Sequence, residues 1–297
     1  MKKIIFVPGK NPKPPAKAHR EQLLRCLLHG VRSIDPQAAG DIEEQDSFST
    51  VAWSHLMYDS QRDISEDIPW IDRLLAQQTH SDDDVRDARP ARYRLAKTMY
   101  VLGDHVHWLI PLIPDPRVKV SIRETEIYFR NHGNLGCRIR DLQKHPLRSA
   151  AANNDRVLLI GHSMGSIIAY DALWELDHLE GYKQCVDCLL TIGSPLGMNY
   201  VQRRLIGHSQ KGNSIYPGNV GRWINIASRG DLVALDPSLA DDFDGMTSEN
   251  HTSSITDMNK DVYNYYRDSK GINVHKSYGY LVNPHVARVI VDWWNEP

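Results

Sequence analysis

The stretch that decides the fold is Val-Leu-Leu-Ile-Gly-His-Ser-Met-Gly at residues 157–165. Its first four residues are apolar, a run typical of a short strand that is buried on both faces. Apolar residues then recur every four positions from Ile168 to Leu176, which predicts a helix over 166–176. Strand and helix meet at a sharp turn in which glycines flank a serine, and glycines let the two elements approach closely.

Similar apolar runs alternate with helical patterns along the rest of the chain. We predict strands at 4–7, 50–58, 156–160, 188–192, 223–227 and 272–274. We predict helices at 16–31, 69–77, 93–106, 122–130 and 135–144, and a last helix opened by Asn283 and Pro284. This alternation favours an α/β fold with a mostly parallel sheet and helices on both faces. In such sheets, ligands bind at the carboxyl ends of the strands.

The length of 297 residues is compatible with one domain over 1–297, because single α/β domains often exceed the average domain length. The segment 60–150 lies where one helix would be enough to join two strands. We therefore predict that 60–150 is a helical insertion that can fold over the carboxyl edge of the sheet as a cap. Its apolar run at 108–113 fits either the core of that cap or the wall of an acyl pocket.

Composition and charge exclude several classes of protein. The net charge of −2 argues against a nucleic-acid binder that works by neutralising phosphates. The sequence holds no apolar run of about 18 residues, so we expect no transmembrane segment. The apolar run that ends at Val7 is too short for a signal peptide, and four cysteines are too few for a disulfide scaffold. These observations predict a cytoplasmic protein.

The turn Gly161-His162-Ser163-Met164-Gly165 carries the chemistry that the sequence suggests. It matches the pattern G-x-S-x-G between a strand and a helix, the context in which that pattern exposes a reactive serine. The start of the following helix favours a developing negative charge. The alternative is a serine in a purely structural turn.

With this motif and this order of strands, the chain resembles the α/β-hydrolase superfamily. The resemblance covers most of the chain in strand order, and its specific part is 157–168. It implies that Ser163 is a nucleophile, followed along the chain first by an acid and then by a histidine.

Asp231 is the predicted acid, because it lies in the loop directly after the strand at 223–227. Other acids follow closely in the sequence and stay open as alternatives. Asp236 precedes a proline, and the remaining ones form a polar, acidic loop: Asp241, Asp242 and Asp244.

His275 is the predicted general base, because it directly follows the short strand at 272–274. The chain has 14 histidines, so the presence of one is not an argument by itself. His251 lies in a polar stretch, and His285 lies just inside the last helix. His162 is next to the serine, where neighbouring side chains on a tight turn point apart.

The superfamily pattern also implies two backbone N–H groups that would stabilise a tetrahedral oxyanion. Met164, the residue after the serine, would supply one. We assign the other to Lys10, in the loop after the first strand. Many members carry His-Gly in that loop, whereas this chain has Pro8-Gly9. The side chains of Lys10 and Lys13 either favour an anionic substrate or point to water.

Together these residues predict a serine hydrolase that cleaves an ester-type acyl bond of a small molecule, like a carboxylesterase or lipase. Thioester hydrolysis and acyl transfer use the same three residues, and a binding protein that lost turnover is a further alternative. We expect no cofactor and no metal, because Cys185 and Cys188 form a lone C-x-x-C and no phosphate-binding or zinc motif is present. The sequence predicts neither the acyl chain nor the oligomeric state.

Overall fold

Six parallel strands form the central sheet of the protein, in the order β2-β1-β3-β4-β5-β6. The computed structural model describes residues 1–77, 81–88, 124–184 and 186–297. The strands are β1 (Lys2–Val7), β2 (Phe48–Thr50), β3 (Arg156–His162), β4 (Val186–Ile192), β5 (Val220–Ile226) and β6 (Ile255–Met258). Two further short strands, β7 (Arg267–Asp268) and β8 (Gly271–Ile272), pair with each other as a separate antiparallel ribbon.

Helices lie on both faces of the central sheet. In the described part of the chain they are α1 (Ala16–Arg32), α2 (Pro36–Glu44), α3 (Ile68–Ala76), α4 (Asp82–Asp87), α5 (124–130), α6 (Leu135–Ala152), α7 (Met164–His178), α8 (Asn199–Gln202), α9 (Leu239–Asp242), α10 (Asp244–Ser248), α11 (Ser277–Leu281) and α12 (Pro284–Asn295). The last helix begins as predicted, with the side chain of Asn283 capping the amide of His285.

The side chains of β1 alternate between two hydrophobic cores. Ile4 and Phe6 pack on one face of the sheet with α1, α2, α3 and α12. Ile5 and Val7 pack on the other face with α6 and α7. Because successive side chains of a strand point to opposite faces, a strand buried on both faces needs a continuous apolar run. This arrangement confirms the predicted α/β class with a parallel sheet and helices on both faces.

The register of the strands brings their carboxyl ends together at one edge. Val7 pairs with Gly161, and His162 pairs with Ile192, which in turn pairs with Ile226. The loops that follow β1, β3, β4 and β5 therefore start side by side. This is the edge at which parallel sheets bind their ligands.

Two strand predictions were wrong. The predicted strand at 50–58 is only Phe48–Thr50, after which a 3-10 turn, Ser54–Leu56, begins. The indole of Trp53 donates to the carbonyl of Pro8. Tertiary contacts of this kind, and not pairing with another strand, fix the segment. The predicted strand at 272–274 does not belong to the central sheet, because Gly271–Ile272 pairs within the antiparallel ribbon.

The sixth strand of the central sheet is Ile255–Met258, which sequence reasoning missed. It lies at the edge of the sheet, and its sequence Ile-Thr-Asp-Met holds two polar residues in four. An edge strand needs less apolar surface than a central one, so its pattern is too weak to stand out.

Both described ends of the segment 60–150 pack into the main body. Ile71 and Leu74 of α3 belong to the same core as α1. Helix α6 is longer than the predicted 135–144 and runs through Pro146 to Ala152, where Ile139 and Leu147 join the core beneath α7. Residues 89–123, which include the predicted helix at 93–106 and the apolar run at 108–113, lie outside the described residues.

In the ranges that the structure describes, no helix combines the length and the apolar character that a membrane crossing requires.

Candidate active site

Ser163 lies on the turn between β3 and α7, with a backbone conformation that few residues other than glycine adopt. Its φ is 57° and its ψ is −129°. Such a conformation costs about 1–3 kcal/mol and persists only where the surroundings enforce it. The amide of Ser163 donates to the carbonyl of Ile192, which fixes the turn to the end of β4. A Cβ on Gly165 would lie 2.1 Å from the carbonyl oxygen of Val7, so only glycine lets α7 start this close to β1.

The structure brings Ser163, His275 and Asp231 together in one chain of hydrogen bonds. The hydroxyl of Ser163 donates to Nε2 of His275 over 2.9 Å. Nδ1 of His275 donates to Oδ2 of Asp231 over 2.8 Å. The Asp231 side chain is fully buried, whereas the His275 side chain is 27% exposed. The imidazole is therefore held by a buried carboxylate while part of its own ring stays exposed.

Asp231 is held as a carboxylate. Burial alone would raise its pKa, but the charge and hydrogen bond of His275 act in the opposite direction. Hydrogen bonds from the Tyr280 hydroxyl and the Val233 amide add to the effect, and together they hold the pKa of Asp231 below its usual range. A charged carboxylate at this position favours the Nδ1–H tautomer of His275, which leaves Nε2 free to accept the serine proton.

The alternative acids and bases lie elsewhere. Asp236 accepts from the amide of Ser238, and His251 lies 3.3 Å from a carboxylate oxygen of Glu249. His285 lies in the first turn of α12. The remaining acids belong to the short helices α9 and α10: Asp241, Asp242 and Asp244.

His162 contributes to the site in a way that sequence reasoning did not predict. Its buried ring lies 4.8 Å from the ring of His275, centroid to centroid. Its Nε2–H donates to the backbone carbonyl of His275 over 2.8 Å. Burial, together with the positive charges that His275, Lys13 and Lys276 carry when protonated, holds the pKa of His162 well below its usual value. A neutral His162 thus fixes the backbone of the residue predicted as the base.

The two predicted oxyanion donors belong to segments that adjoin Ser163. Met164 is the first residue of α7, and the amides of a first helical turn have no acceptor within the helix. The loop after β1 also comes close to the serine, since a Cβ on Gly9 would lie 2.7 Å from Cβ of Ser163. Lys10 follows Gly9 directly, and its ammonium pairs with Glu124 at 3.1 Å. The loop after β1 therefore comes close to the serine at Gly9, and the role of the Lys10 amide stays a prediction.

A cavity of about 150 Å³ opens beside these residues. Ser163 and His275 contribute to its wall, together with Gly9 and Lys10 of the loop after β1. The serine hydroxyl therefore lies next to a space that a small molecule can enter.

Metal ligands are not clustered in the described ranges, where no group of three or more His, Cys, Asp or Glu side chains could hold an ion. Of the C-x-x-C pair, Cys185 lies outside the described residues. Cys188 is buried in β4, and burial raises the pKa of its thiol to about 12. A thiol with so high a pKa is a poor nucleophile and a poor metal ligand.

Comparisons with known proteins give no further guide to this site. A scan of protein-family models, a search of curated proteins and a search of solved structures found no match to the chain.

Proposed function

We propose that the protein is a serine hydrolase of the α/β-hydrolase type, which cleaves an ester-type acyl bond of a small molecule through an acyl-serine intermediate. The observation that carries the proposal is the unbroken chain of hydrogen bonds from Ser163 through His275 to Asp231. A structural serine has no need of an imidazole backed by a buried carboxylate. The serine also lies beside a cavity at the carboxyl edge of the sheet, where a small substrate can bind.

In the first half of the reaction, Oγ of Ser163 attacks the carbonyl carbon of the ester. The serine proton moves to Nε2 of His275, because a free serine hydroxyl is a weak nucleophile. The bond between the carbonyl carbon and the alcohol oxygen then breaks, and that oxygen takes the proton from Nε2. Asp231 stays ionised throughout and stabilises the imidazolium.

The negative charge that develops on the carbonyl oxygen needs fixed donors. The amides of Met164 and Lys10 are assigned to this role. Each such donor contributes about 10²–10³ in kcat in enzymes where one has been removed.

In the second half, water attacks the acyl-serine carbon. His275 takes a proton from this water and returns it to Oγ of Ser163 as the acyl–oxygen bond breaks. The products are one carboxylic acid and one alcohol, and the protein ends in its starting state. Thioester hydrolysis and acyl transfer to another acceptor use the same groups and stay the alternative.

A fluorophosphonate probe tests the proposal, because it reacts covalently only with an activated serine. We expect labelling of one site, located at Ser163 by mass spectrometry of the digested protein. Ser163→Ala should abolish labelling. His275→Ala should slow labelling strongly while the protein stays folded. A wild-type protein that stays unlabelled would favour a binding protein over an enzyme.

The remaining sequence-based expectations belong to the same proposal. They are a small ester or acyl compound as substrate, no nucleic-acid partner and a cytoplasmic location.

A further inference from the structure

The wall of the cavity beside Ser163 carries an excess of positive charge. Lys13, Arg62 and Lys276 line it, in addition to Lys10, which is paired with Glu124. Asp67 is the one carboxylate among the described residues of that wall. The cavity is therefore cationic although the chain as a whole has a net charge of −2.

Asp67 forms ion pairs with two of these cations. Nζ of Lys276 lies 3.0 Å from each of its carboxylate oxygens. The guanidinium of Arg62 lies 2.9 Å from Oδ1. Because the Asp67 side chain is only 2% exposed, the carboxylate sits behind the two cations and orients them. Nε of Arg62 also lies 3.4 Å from a carboxylate oxygen of Glu66, so two carboxylates face these two cations. The excess positive charge of the wall is therefore that of Lys13.

Lys13 has no carboxylate of its own within ion-pair distance among the described residues. Its ammonium donates to the backbone carbonyl of Lys10 over 2.7 Å, a neutral acceptor. Burial and the charges of Lys276 and Arg62 outweigh the attraction of Asp67 and Glu124, and lower the pKa of Lys13 to about 7. A lysine has three N–H groups, so others remain to bind a ligand.

The backbone holds Lys13 in this unfavourable place. Pro12, Pro14 and Pro15 surround it, and the proline ring fixes φ. Asn11, just before them, has a φ of 77°, and its amide donates to the hydroxyl of Tyr58. A loop built in this way holds Lys13 beside the other cations before any ligand binds. Binding then costs little loss of backbone conformational entropy.

We infer that Lys13, Lys276 and Arg62 form a binding subsite for an anionic group of the substrate, a carboxylate or a phosphate. The inference rests on the proposed function, since it assigns a substrate class to the same cavity. An anion placed among these cations relieves their mutual repulsion and forms charge-assisted hydrogen bonds. The substrate is then an acidic ester rather than a neutral lipid, with the acid on its acyl or on its alcohol part.

Two matched pairs of esters test the inference and distinguish these positions. Monophenyl adipate against phenyl hexanoate places a carboxylate on the acyl part, and 4-carboxyphenyl butanoate against phenyl butanoate places it on the alcohol part. Each kcat/KM is divided by the rate of hydroxide hydrolysis, which removes differences in intrinsic reactivity. We expect the acidic member of one pair to be preferred by about tenfold or more, the usual effect of one charge-assisted hydrogen bond.

Lysine variants show whether that preference comes from the subsite. Lys13→Gln should remove most of the preference, and Lys13→Arg should keep it because the charge is kept. Lys17→Gln is the matched control, since Lys17 is an exposed lysine of α1. Lys276→Gln is a less clear test, because it leaves the buried Asp67 with one fewer partner. A ratio near one for both pairs, or an equal loss on both members in Lys13→Gln, overturns the inference.

Binding of inorganic sulfate to the Ser163→Ala protein separates this inference from the proposed function. Titration calorimetry at constant ionic strength, with chloride as the balancing salt, should show sulfate binding that Lys13→Gln weakens and Lys17→Gln does not. If the serine proves unreactive but sulfate binds in this way, the subsite stands and the proposed chemistry falls. If neutral esters are hydrolysed but sulfate does not bind, the chemistry stands and the subsite falls.

Discussion

The hydroxyl of Tyr280 donates a hydrogen bond of 2.7 Å to Oδ2 of Asp231. The same carboxylate oxygen accepts from Nδ1 of His275, and the other one accepts from the amide of Val233. Tyr280 is itself fixed, because its oxygen accepts from the amide of Ser228. Hydrogen bonds from neighbouring residues therefore help to set the orientation of Asp231. Through Asp231 they also help to set the orientation of His275.

Tyr280→Phe removes this donor and should leave the fold intact. We expect a fall in kcat of about tenfold, from the loss of one hydrogen bond to a charged group. Because the Tyr280 hydrogen bond is one of the causes that lower the pKa of Asp231, its loss raises that pKa. The loss of activity that follows protonation of Asp231 at low pH should then begin at a higher pH than in wild type. A lower thermal midpoint with an unmoved pH profile would mean that Tyr280 has only a packing role.

The three linked residues should behave as a unit in kinetics. Ser163→Ala and His275→Ala are each expected to lower kcat on phenyl butanoate by about 10⁴–10⁶. Asp231→Asn should cost about 10⁴, because an amide no longer holds the correct histidine tautomer. His285→Ala and the exposed Asp241→Asn serve as controls and should stay within about twofold of wild type, the usual range for changes away from a site. A dead His285→Ala beside an active His275→Ala would show that the base was wrongly assigned.

Gly9→Ala tests whether the loop after β1 takes part in the reaction. A Cβ at this position would lie 2.7 Å from Cβ of Ser163, so the loop must move away and take the Lys10 amide with it. Loss of one oxyanion donor predicts a fall in kcat of about 10²–10³ with KM less affected.

The matched control for Gly9→Ala is Gly40→Ala, in helix α2. No atom lies within 4 Å of a Cβ at Gly40, and alanine in a helix should stabilise the protein by about 0.5–1 kcal/mol. Its kcat should equal that of wild type, as measured alongside thermal midpoints for both variants. A Gly9→Ala protein with full activity would remove Lys10 from the proposed mechanism.

The parts of the site that the sequence predicts are those that follow strands. Ser163 directly follows β3, and Asp231 lies in the loop that starts at the end of β5. The apolar runs of both strands are plain because both of their faces are buried. The structure brings His275 to Ser163, but the strand used to predict its position belongs to a separate ribbon, and sequence reasoning missed the edge strand β6.

Residues that act through tertiary contacts leave no such pattern in the sequence. Tyr280 lies 49 positions from Asp231, and Lys276 lies 209 positions from Asp67. Nothing in their local sequence indicates either partner. The sequence indicates His162 only as an alternative base, because its bond to the carbonyl of His275 depends on the folded loop. Contacts of this kind become visible only when the chain is folded, whereas hydrophobic periodicity is a local property.

The last prediction concerns the effect of pH on anion binding. Lys13 has a pKa lowered to about 7, so in the free protein its ammonium is lost as the pH rises through that value. The titratable groups that face it are Lys276, Arg62, Asp67 and Glu124, with His19 and His162, which are both neutral. Sulfate keeps its charge over this range, so any change in its affinity reports on the protein. The affinity for sulfate should be highest below about pH 7 and fall as the pH rises above it. A neutral amine has no charge that attracts the anion and cannot form a charge-assisted hydrogen bond with it.

Lys13→Arg provides the decisive comparison, since an arginine side chain stays protonated throughout the accessible range. In that variant the affinity for sulfate should hold from below to above pH 7, and fall only at higher pH where Lys276, whose pKa burial also lowers, loses its proton. Titration calorimetry in buffers of different ionisation enthalpy adds a second readout. Wild type near pH 7 should take up a fraction of a proton on binding sulfate, because the bound anion raises the pKa of Lys13. The Lys13→Arg protein should take up less. Equal pH dependence and equal proton uptake in both proteins would place the anion away from Lys13.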